Sequence, residues 1–436
     1  MSVINGSQDA TALVGLPGFV VGVQQLVDGE WWLYVETTAD VVGCGSCGSR
    51  AVGHGRARTA VRDLPIAGRA TVLVFARRRW RCRDADCPVG TWCERTDAIG
   101  LRASLTERAR QRLAAMVNID GDSIAAAAAE FGVGWHTANA AVADYTDPAI
   151  ADPGRLDDVT AIGVDEKRFL NATATHHTTF TTQLVDLDRH QLLDVIEGRS
   201  RDVLGTWLDG RGAHWCDRIT LATLDPAAGY RLALLEHLPN ATLVVDHFHA
   251  IQLANAAIDD VRRRVQQETT GHRGRKGDPL YAIRRALLTA DERLTEERFA
   301  WIVDRLNAGD PAGEVSATWV AKELLRAVYA AADLAHARRR LTVFFQYCAD
   351  ADVTEQRRLA TTIDRWTPEI LAYHSTFRAS NGRVENTHML AEKIRRNAHG
   401  FTNHTNYRRR LIGRLGIQWT TVPTRRIRGR QPRLIA

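Results

Sequence analysis

The sequence predicts a multidomain α/β fold, on three observations. Two short-spaced cysteine pairs near the N-terminus, Cys44/Cys47 and Cys82/Cys87, enclose strand-like text. From Asp158 to Asp246, apolar strand runs alternate with helical ones, and several strand runs stop at an acid. Residues 250–375 then show helical spacing alone, rich in Arg, Ala and Leu. A chain of 436 residues exceeds one ordinary core, so two or three domains are expected.

Composition narrows the function classes. Apolar residues make up 45% and charged residues 25%, as in an ordinary soluble protein. No run of about 18 apolar residues occurs, so no membrane span is expected. The start, Met1 to Asp9, lacks the basic and apolar regions of a secretory signal, and a cytoplasmic protein is expected. The net charge of +6 is modest but unevenly placed. Lys393 to Ala436 contains no Asp or Glu, yet holds Arg395, Arg396, Arg408, Arg409, Arg410, Arg414, Arg425, Arg426, Arg428, Arg430 and Arg433. A second basic run is Arg77, Arg78, Arg79 and Arg81. Such patches attract phosphate backbones and release counterions on binding, so DNA is an expected partner.

Taken in order, residues 1–40 alternate around Trp31 to Val35 and predict one or two strands. Residues 1–100 form a first domain, with strands expected at Ala60–Leu64 and Thr71–Phe75. Its four cysteines can sit on two tight knuckles and complete a tetrahedral thiolate site for Zn²⁺. Four thiolates leave no open position, so the metal would be structural. Cys93 lies close by as a spare ligand or as core. Seven cysteines, an odd number, do not suggest a disulfide framework.

Residues 101–150 form a second, helical domain. Ser104 can cap a helix with Glu107 three residues on. Asp122 to Asn139 then reads as helix, glycine turn, helix, a helix-turn-helix whose second member, about Trp135 to Tyr145, would enter a major groove. Trp135, His136 and Asn139 are its candidate base contacts. Thr146 to Asp158, with two prolines, a glycine and several acids, reads as a linker.

Residues 158–250 hold the α/β segment. Ala161–Val164 is a strand ending at Asp165, and Thr178 to Val195 holds two strands with a turn near Asp188-Arg189. Asp202–Trp215 is helical, Arg218–Leu224 is a strand ending at Asp225, and Ala227–Leu238 is helical. Ala241–Val245 is a strand ending at Asp246. Residues 251–375 form the all-helical stretch, and residues 376–436 a last amphipathic helix, about Ser380 to Asn397, with a basic tail. Glu385 lies on that helix. Acids at strand ends and on a helix can hold two divalent ions for in-line phosphoryl transfer, Mg²⁺ with Mn²⁺ as a substitute.

These residues together resemble a known family. The segments Gly163-Val164-Asp165-Glu166-Lys167-Arg168-Phe169, Val245-Asp246-His247-Phe248-His249 and Ser380-Asn381-Gly382-Arg383-Val384-Glu385 are similar to the ISL-three insertion-sequence transposases. So are Arg395 to Phe401, Asn406 to Arg410, and the cysteine ribbon with Arg78-Arg79-Trp80-Arg81-Cys82. One stretch departs: the family shows Glu-Gly-x-Asn where this chain has Glu385-Asn386-Thr387-His388.

The resemblance implies a ribonuclease-H-like core with a DDE triad, interrupted by the helical stretch as an insertion, and Mg²⁺-dependent cutting at terminal inverted repeats. In such a core the second acid ends the fourth strand. That selects Asp165, Asp225 and Glu385 as catalytic metal ligands, with Asp246 as the alternative second acid or a nearby support. His247 and His249 would touch DNA, orient a carboxylate, or simply belong to core or surface. Arg78, Arg79, Arg81, Arg395, Arg396, Arg408, Arg409 and Arg410 are candidate phosphate contacts. Joining two DNA ends calls for a homodimer or larger multimer, working among nucleoid DNA. The competing expectations are an inactive, transposase-derived DNA-binding regulator and a ribonuclease-H-like nuclease without strand transfer.

Overall fold

The computed structural model describes residues 3–5, 8–39 and 41–419. The chain divides into two compact units, residues 1–155 with 391–436, and residues 156–390.

The first unit opens with β1 (Val3–Asn5), α1 (Gln8–Val14), β2 (Phe19–Val27) and β3 (Glu30–Thr37). The helix α1 stands where the alternation predicts only strands. A long ribbon follows, β4 (Ala51–Ile66) and β5 (Arg69–Cys82), and β6 (Thr91–Cys93) adds to β5. The sheet order is β1-β2-β3-β5-β4, with β3 and β5 parallel and the other pairs antiparallel. Leu33, Val35, Val61, Leu73 and Phe75 bury one face of it, with the Phe19 and Phe75 rings edge-on at 5.3 Å.

Helices complete this unit: α2 (Glu107–Ala115), a π turn at Met116–Asp120, α3 (Ile124–Phe131) and α4 (Trp135–Ala151). The cap of α2 is Thr106 rather than Ser104. Ser104 is still tied to β4, its carbonyl accepting the Arg62 N–H at 2.8 Å, so the helix cannot begin there. Thr106 donates its hydroxyl to Asp63 at 2.6 Å and accepts the Ala109 N–H at 3.2 Å. Ser123 caps α3, and Gly132 closes it at φ 62, a left-handed backbone that glycine adopts without cost. The expected linker at Thr146 is instead the last part of α4. Tertiary contact keeps it helical: Thr146 is fully buried and its hydroxyl accepts Asn118 Nδ2 at 2.8 Å.

The second unit holds a five-stranded sheet in the order β11-β10-β7-β8-β9. Its strands are β7 (Ala161–Leu170), β8 (Thr179–Asp186), β9 (Gln191–Glu197), β10 (Leu221–Leu224) and β11 (Thr242–Val245). The first three form an antiparallel meander, and β10 and β11 join parallel beside β7. Between them lie α5 (Arg201–Asp209), α6 (Ala213–Arg218) and α7 (Ala228–His237). Seven further helices follow: α8 (His247–Thr270), α9 (Pro279–Ile283), α10 (Glu296–Gly309), α11 (Glu314–Tyr329), α12 (Leu334–Asp350), α13 (Thr354–Arg365) and α14 (Thr367–Ala372). Then come α15 (Gly382–Asn397), inside which the unit boundary falls, and α16 (His404–Leu415). One core runs from the sheet into α11–α14 through Ile162, Leu224, Val245, Leu325 and Phe344. A smaller one, with Ile258, Leu280, Ile302 and Trp319, lies among α8–α11.

Asp165 lies inside β7 rather than at its end. The ladder with β8 continues past it, pairing Glu166 with Thr182 and Arg168 with Phe180. The helix α15 is not the last, since α16 follows it.

Candidate active site

Register brings the acids together. Leu224 pairs with Val164 on one side and with Val245 on the other, so the next residues, Asp165, Asp225 and Asp246, form a row across three parallel strands. Asp165 and Asp246 are buried and Asp225 is half-buried. Glu385 comes from the first turns of α15. Gly163 admits that helix: a β-carbon there would stand 2.3 Å from Val384 Cγ2, one residue before Glu385.

Two overlapping ligand sets result. Atoms of Asp165, Asp225 and His249 lie within 4.8 Å of one another, and so do those of Asp246, His249 and Glu385. His249 is the shared member, its Nδ1 2.9 Å from Asp225 Oδ1 and 3.2 Å from Asp246 Oδ2. Asp246 also caps α8, accepting the Phe248 and His249 N–H groups at 3.0 and 3.3 Å. His247 places Nδ1 3.6 Å from Asp246 Oδ1, and its ring lies about 6 Å from those of Tyr329 and Tyr373.

Asn381 binds the row together from beneath, fully buried. Its backbone N–H donates to Asp246 Oδ1 at 2.9 Å and its amide to Asp225 Oδ1 at 3.1 Å. The amide also reaches the Val164 carbonyl at 3.4 Å, and its oxygen accepts the Thr223 hydroxyl. His388, three residues after Glu385, places Nδ1 3.2 Å from Asp165 Oδ2. Neither Asn381 nor His388 stands out in the sequence as more than a motif neighbour; the signal available was their place on either side of Glu385.

The electrostatics follow from crowding. Burial and the neighbouring Asp225 charge push the Asp165 carboxyl up to about 8. Burial would also raise Asp246, but hydrogen bonds from His249 and the Asn381 N–H hold it below its ordinary value. Burial disfavours charge on His249, yet its bonds to Asp225 and Asp246 win and carry it up to about 10. His388 is driven down to about 4 by burial and by Lys167. An imidazolium thus neutralises part of a carboxylate cluster. Four carboxylates this close are a donor set that suits hard divalent cations, and the residues fit Mg²⁺.

The four ribbon cysteines converge at the tip of β4 and β5. Their sulfurs lie within 4.8 Å of one another, with Cys44 3.6 Å from Cys87 and Cys47 3.4 Å from Cys82. The pairing Ala51 to Cys82 across the ribbon sets this meeting. An all-thiolate donor set fits tetrahedral Zn²⁺. Cys93, paired with Arg79 across β5 and β6, is outside the cluster.

The candidate DNA contacts separate. Arg79, Arg81, Trp135, His136 and Arg396 are exposed, and Asn139 and Arg395 are half-buried. Arg78 is turned inward, donating to the Thr37 carbonyl at 3.0 Å. Arg409 grips Asp147 at 2.6 and 2.8 Å. Arg410 is buried and donates to the Val117 and Asp122 carbonyls. It clamps α16 onto the helices beside it. Arg408 is half-buried on the same helix. The basic residues from Arg425 to Arg433 lie outside the described residues. Among the described residues, no helix is long and apolar enough to cross a membrane.

Residues 40–87 match the zinc finger of the transposases of IS204, IS1001, IS1096 and IS1165. The transposase for insertion sequence element IS1001 of Bordetella parapertussis is 24% identical over 371 residues, 85% of this chain and 87% of that protein. The transposase for IS1557 of Mycobacterium tuberculosis is 28% identical over 220 residues, 45% of this chain and 47% of its own. A transposase family profile spans residues 162–411, which takes in the whole acidic row and Glu385. With more than half its length covered by that profile, the chain belongs to the ISL-three family of insertion-sequence transposases.

Proposed function

We propose that the chain cuts DNA at the terminal inverted repeats of its insertion sequence and joins the freed 3′ ends to target DNA. The observation that carries this reading is the row Asp165, Asp225 and Asp246, with Glu385 brought against it by α15. A sheet with three antiparallel strands followed by two parallel ones, β9-β8-β7-β10-β11, supports a ribonuclease-H-like core. The pair α3 and α4, joined by a glycine turn, supports a helix-turn-helix.

Asp165, Asp225 and Glu385 would hold a pair of Mg²⁺ ions, whose chemistry is to acidify the attacking water and neutralise charge on the scissile phosphate. Asp246 is the organiser in this reading. Its oxygens already accept three backbone N–H groups, from Phe248, His249 and Asn381. Asp225 accepts from the Asn381 amide and faces His249, and its carboxylate is the more accessible. Asn381 and His249 orient the row before any phosphate arrives, which is how an enzyme without covalent chemistry lowers a phosphoryl-transfer barrier. The exposed Arg79, Arg81 and Arg396 would contact phosphates, with Zn²⁺ fixing the ribbon tip. Joining two ends calls for at least a dimer.

The test is cleavage of a labelled duplex carrying the element's end, with Mg²⁺. Asp225→Asn is expected to abolish cutting while end binding persists. Asp246→Asn keeps a capping oxygen and is expected to retain measurable cutting. A dead Asp246→Asn beside an active Asp225→Asn would exchange their roles, and absence of cutting by the unaltered protein would sink the enzymatic reading.

A further inference from the structure

Asn381 and His249 bond to Asp225 and Asp246. Asp165 is held by other groups. Its Oδ1 accepts the Glu166 N–H at 2.6 Å, and its Oδ2 faces His388 Nδ1 at 3.2 Å. His388 follows Glu385 by three residues on α15, so both lie on one face of that helix. One helical turn thus carries a carboxylate of the site and a group that touches another. The ring is 9% exposed, and its Nε2 is buried with no hydrogen-bond partner among the described residues. Leaving a buried nitrogen unpaired costs about 1–3 kcal/mol. A leucine would fill the same space without that cost, so the bond at Nδ1 is what the imidazole adds.

With a divalent ion on Asp165 the carboxylate can only accept hydrogen bonds, and the ring's proton then stands on Nδ1. An N–H given to Oδ2 fixes the turn of the carboxyl plane and leaves each oxygen a lone pair for the cation. His388 also stands where the Glu-Gly-x-Asn pattern has its asparagine. An asparagine amide nitrogen and Nδ1 are both bonded to Cγ, so they reach equally far. A glutamine amide reaches one bond further. The geometry points to His388 as the positioning residue of Asp165: its Nδ1–H holds the carboxylate as the divalent ion needs it, and so sets how tightly the ion binds. The inference rests on the metal-dependent reading above, and its test separates the two.

The experiment measures Mn²⁺ bound to the full chain without DNA, from loss of the free ion's paramagnetic resonance signal. The ions that Asp165→Asn removes are those of the site. The unaltered protein and His388→Asn are expected to bind them alike. His388→Leu, which has no donor, and His388→Gln, whose amide overshoots, are expected to bind about 10–100-fold more weakly. Their cutting should return as Mn²⁺ is raised, which places the defect in the ion concentration needed and not in the saturated rate. Melting temperatures report the fold, and should His388→Leu fail to fold, His388→Gln carries the comparison. A ring kept for packing alone predicts the opposite order, with leucine better tolerated than asparagine. Weaker binding by His388→Leu or His388→Gln, in a protein that does not cut, upholds the positioning role and fails the enzymatic reading. Equal binding by all the His388 variants, His388→Asn as weak as His388→Leu, or no ion removed by Asp165→Asn overturns the positioning role.

Discussion

Gly163 shows how much one missing side chain decides. It lies two residues before Asp165, and the Val384 methyl occupies the space a β-carbon would need, at 2.3 Å, with Leu187 and Thr223 at 3.0 and 3.1 Å. Gly163→Ala is expected to destabilise the protein by about 1–3 kcal/mol through overpacking. It should also lower cleavage at least tenfold by lifting Glu385 from the row. Val384→Ala in the same chain should recover part of both losses, read as melting temperature and single-turnover rate. A fully active Gly163→Ala would mean that this packing does not seat Glu385. The arginines divide on the same principle. Arg79, Arg81 and Arg396 are exposed, so removing each should lower the salt slope of DNA binding by about 0.9 for every phosphate it had neutralised. Arg410 is buried, and Arg410→Ala should instead lower the melting temperature, because its removal orphans the Val117 and Asp122 carbonyls.

At the scale of elements, the ribbon and α8 carry opposite kinds of support. The tip of β4 and β5 buries few apolar side chains, Ala51 and Trp80 beside Cys44, Cys82 and Cys87, with Trp92 packed against them, so a thiolate-bound metal would be its main support. The protein is expected to bind one Zn²⁺ per chain. A strong chelator should loosen the tip, raising amide exchange in residues 44–52 and 80–93 and leaving the second unit's exchange unchanged. No zinc, or no local change on its removal, would count against a metal ribbon. The long helix α8 is fastened by Arg264, which reaches Glu355 on α13 at 2.8 Å and Glu314 on α11 at 3.0 Å. Glu355 is buried, so Arg264→Met leaves its charge with only the exposed Arg358, 3.9 Å away. A loss of about 2–3 kcal/mol is expected, less than for a fully buried pair because Arg264 is partly exposed. Denaturant unfolding reads it.

At the scale of the whole molecule, the proposed function divides the work between the two units. One holds the cysteine tip, the paired helices α3 and α4 and the exposed Arg79, Arg81 and Arg396; the other holds the five-stranded sheet and the acids. A protein with Asp225→Asn should therefore keep end binding and its full salt dependence while losing cleavage. A protein with Arg79→Ala and Arg81→Ala should bind more weakly yet cut normally once saturated with DNA. Gel-shift titration beside saturating cleavage tests both, and a cleavage defect at saturation in the second variant would tie those arginines to catalysis.

Periodicity and spacing were enough for part of this molecule. Two cysteine pairs announced the ribbon, and the order of strands and helices from Ala161 to Val245 was readable because each run keeps one period. The acids at Asp225 and Asp246 and the glutamate on α15 were visible as residues. Their convergence was not, because it depends on the register that aligns Val164, Leu224 and Val245 across three strands. Partners distant in the chain settled the rest. Thr106 rather than Ser104 caps α2 because β4 holds Ser104, and α4 runs on through Thr146 because that residue is buried beside Asn118. Arg410 became a clamp and Asn381 a bridge between two aspartates for the same reason. A buried polar group must find its partner wherever the chain brings one, and no local pattern records who that partner will be.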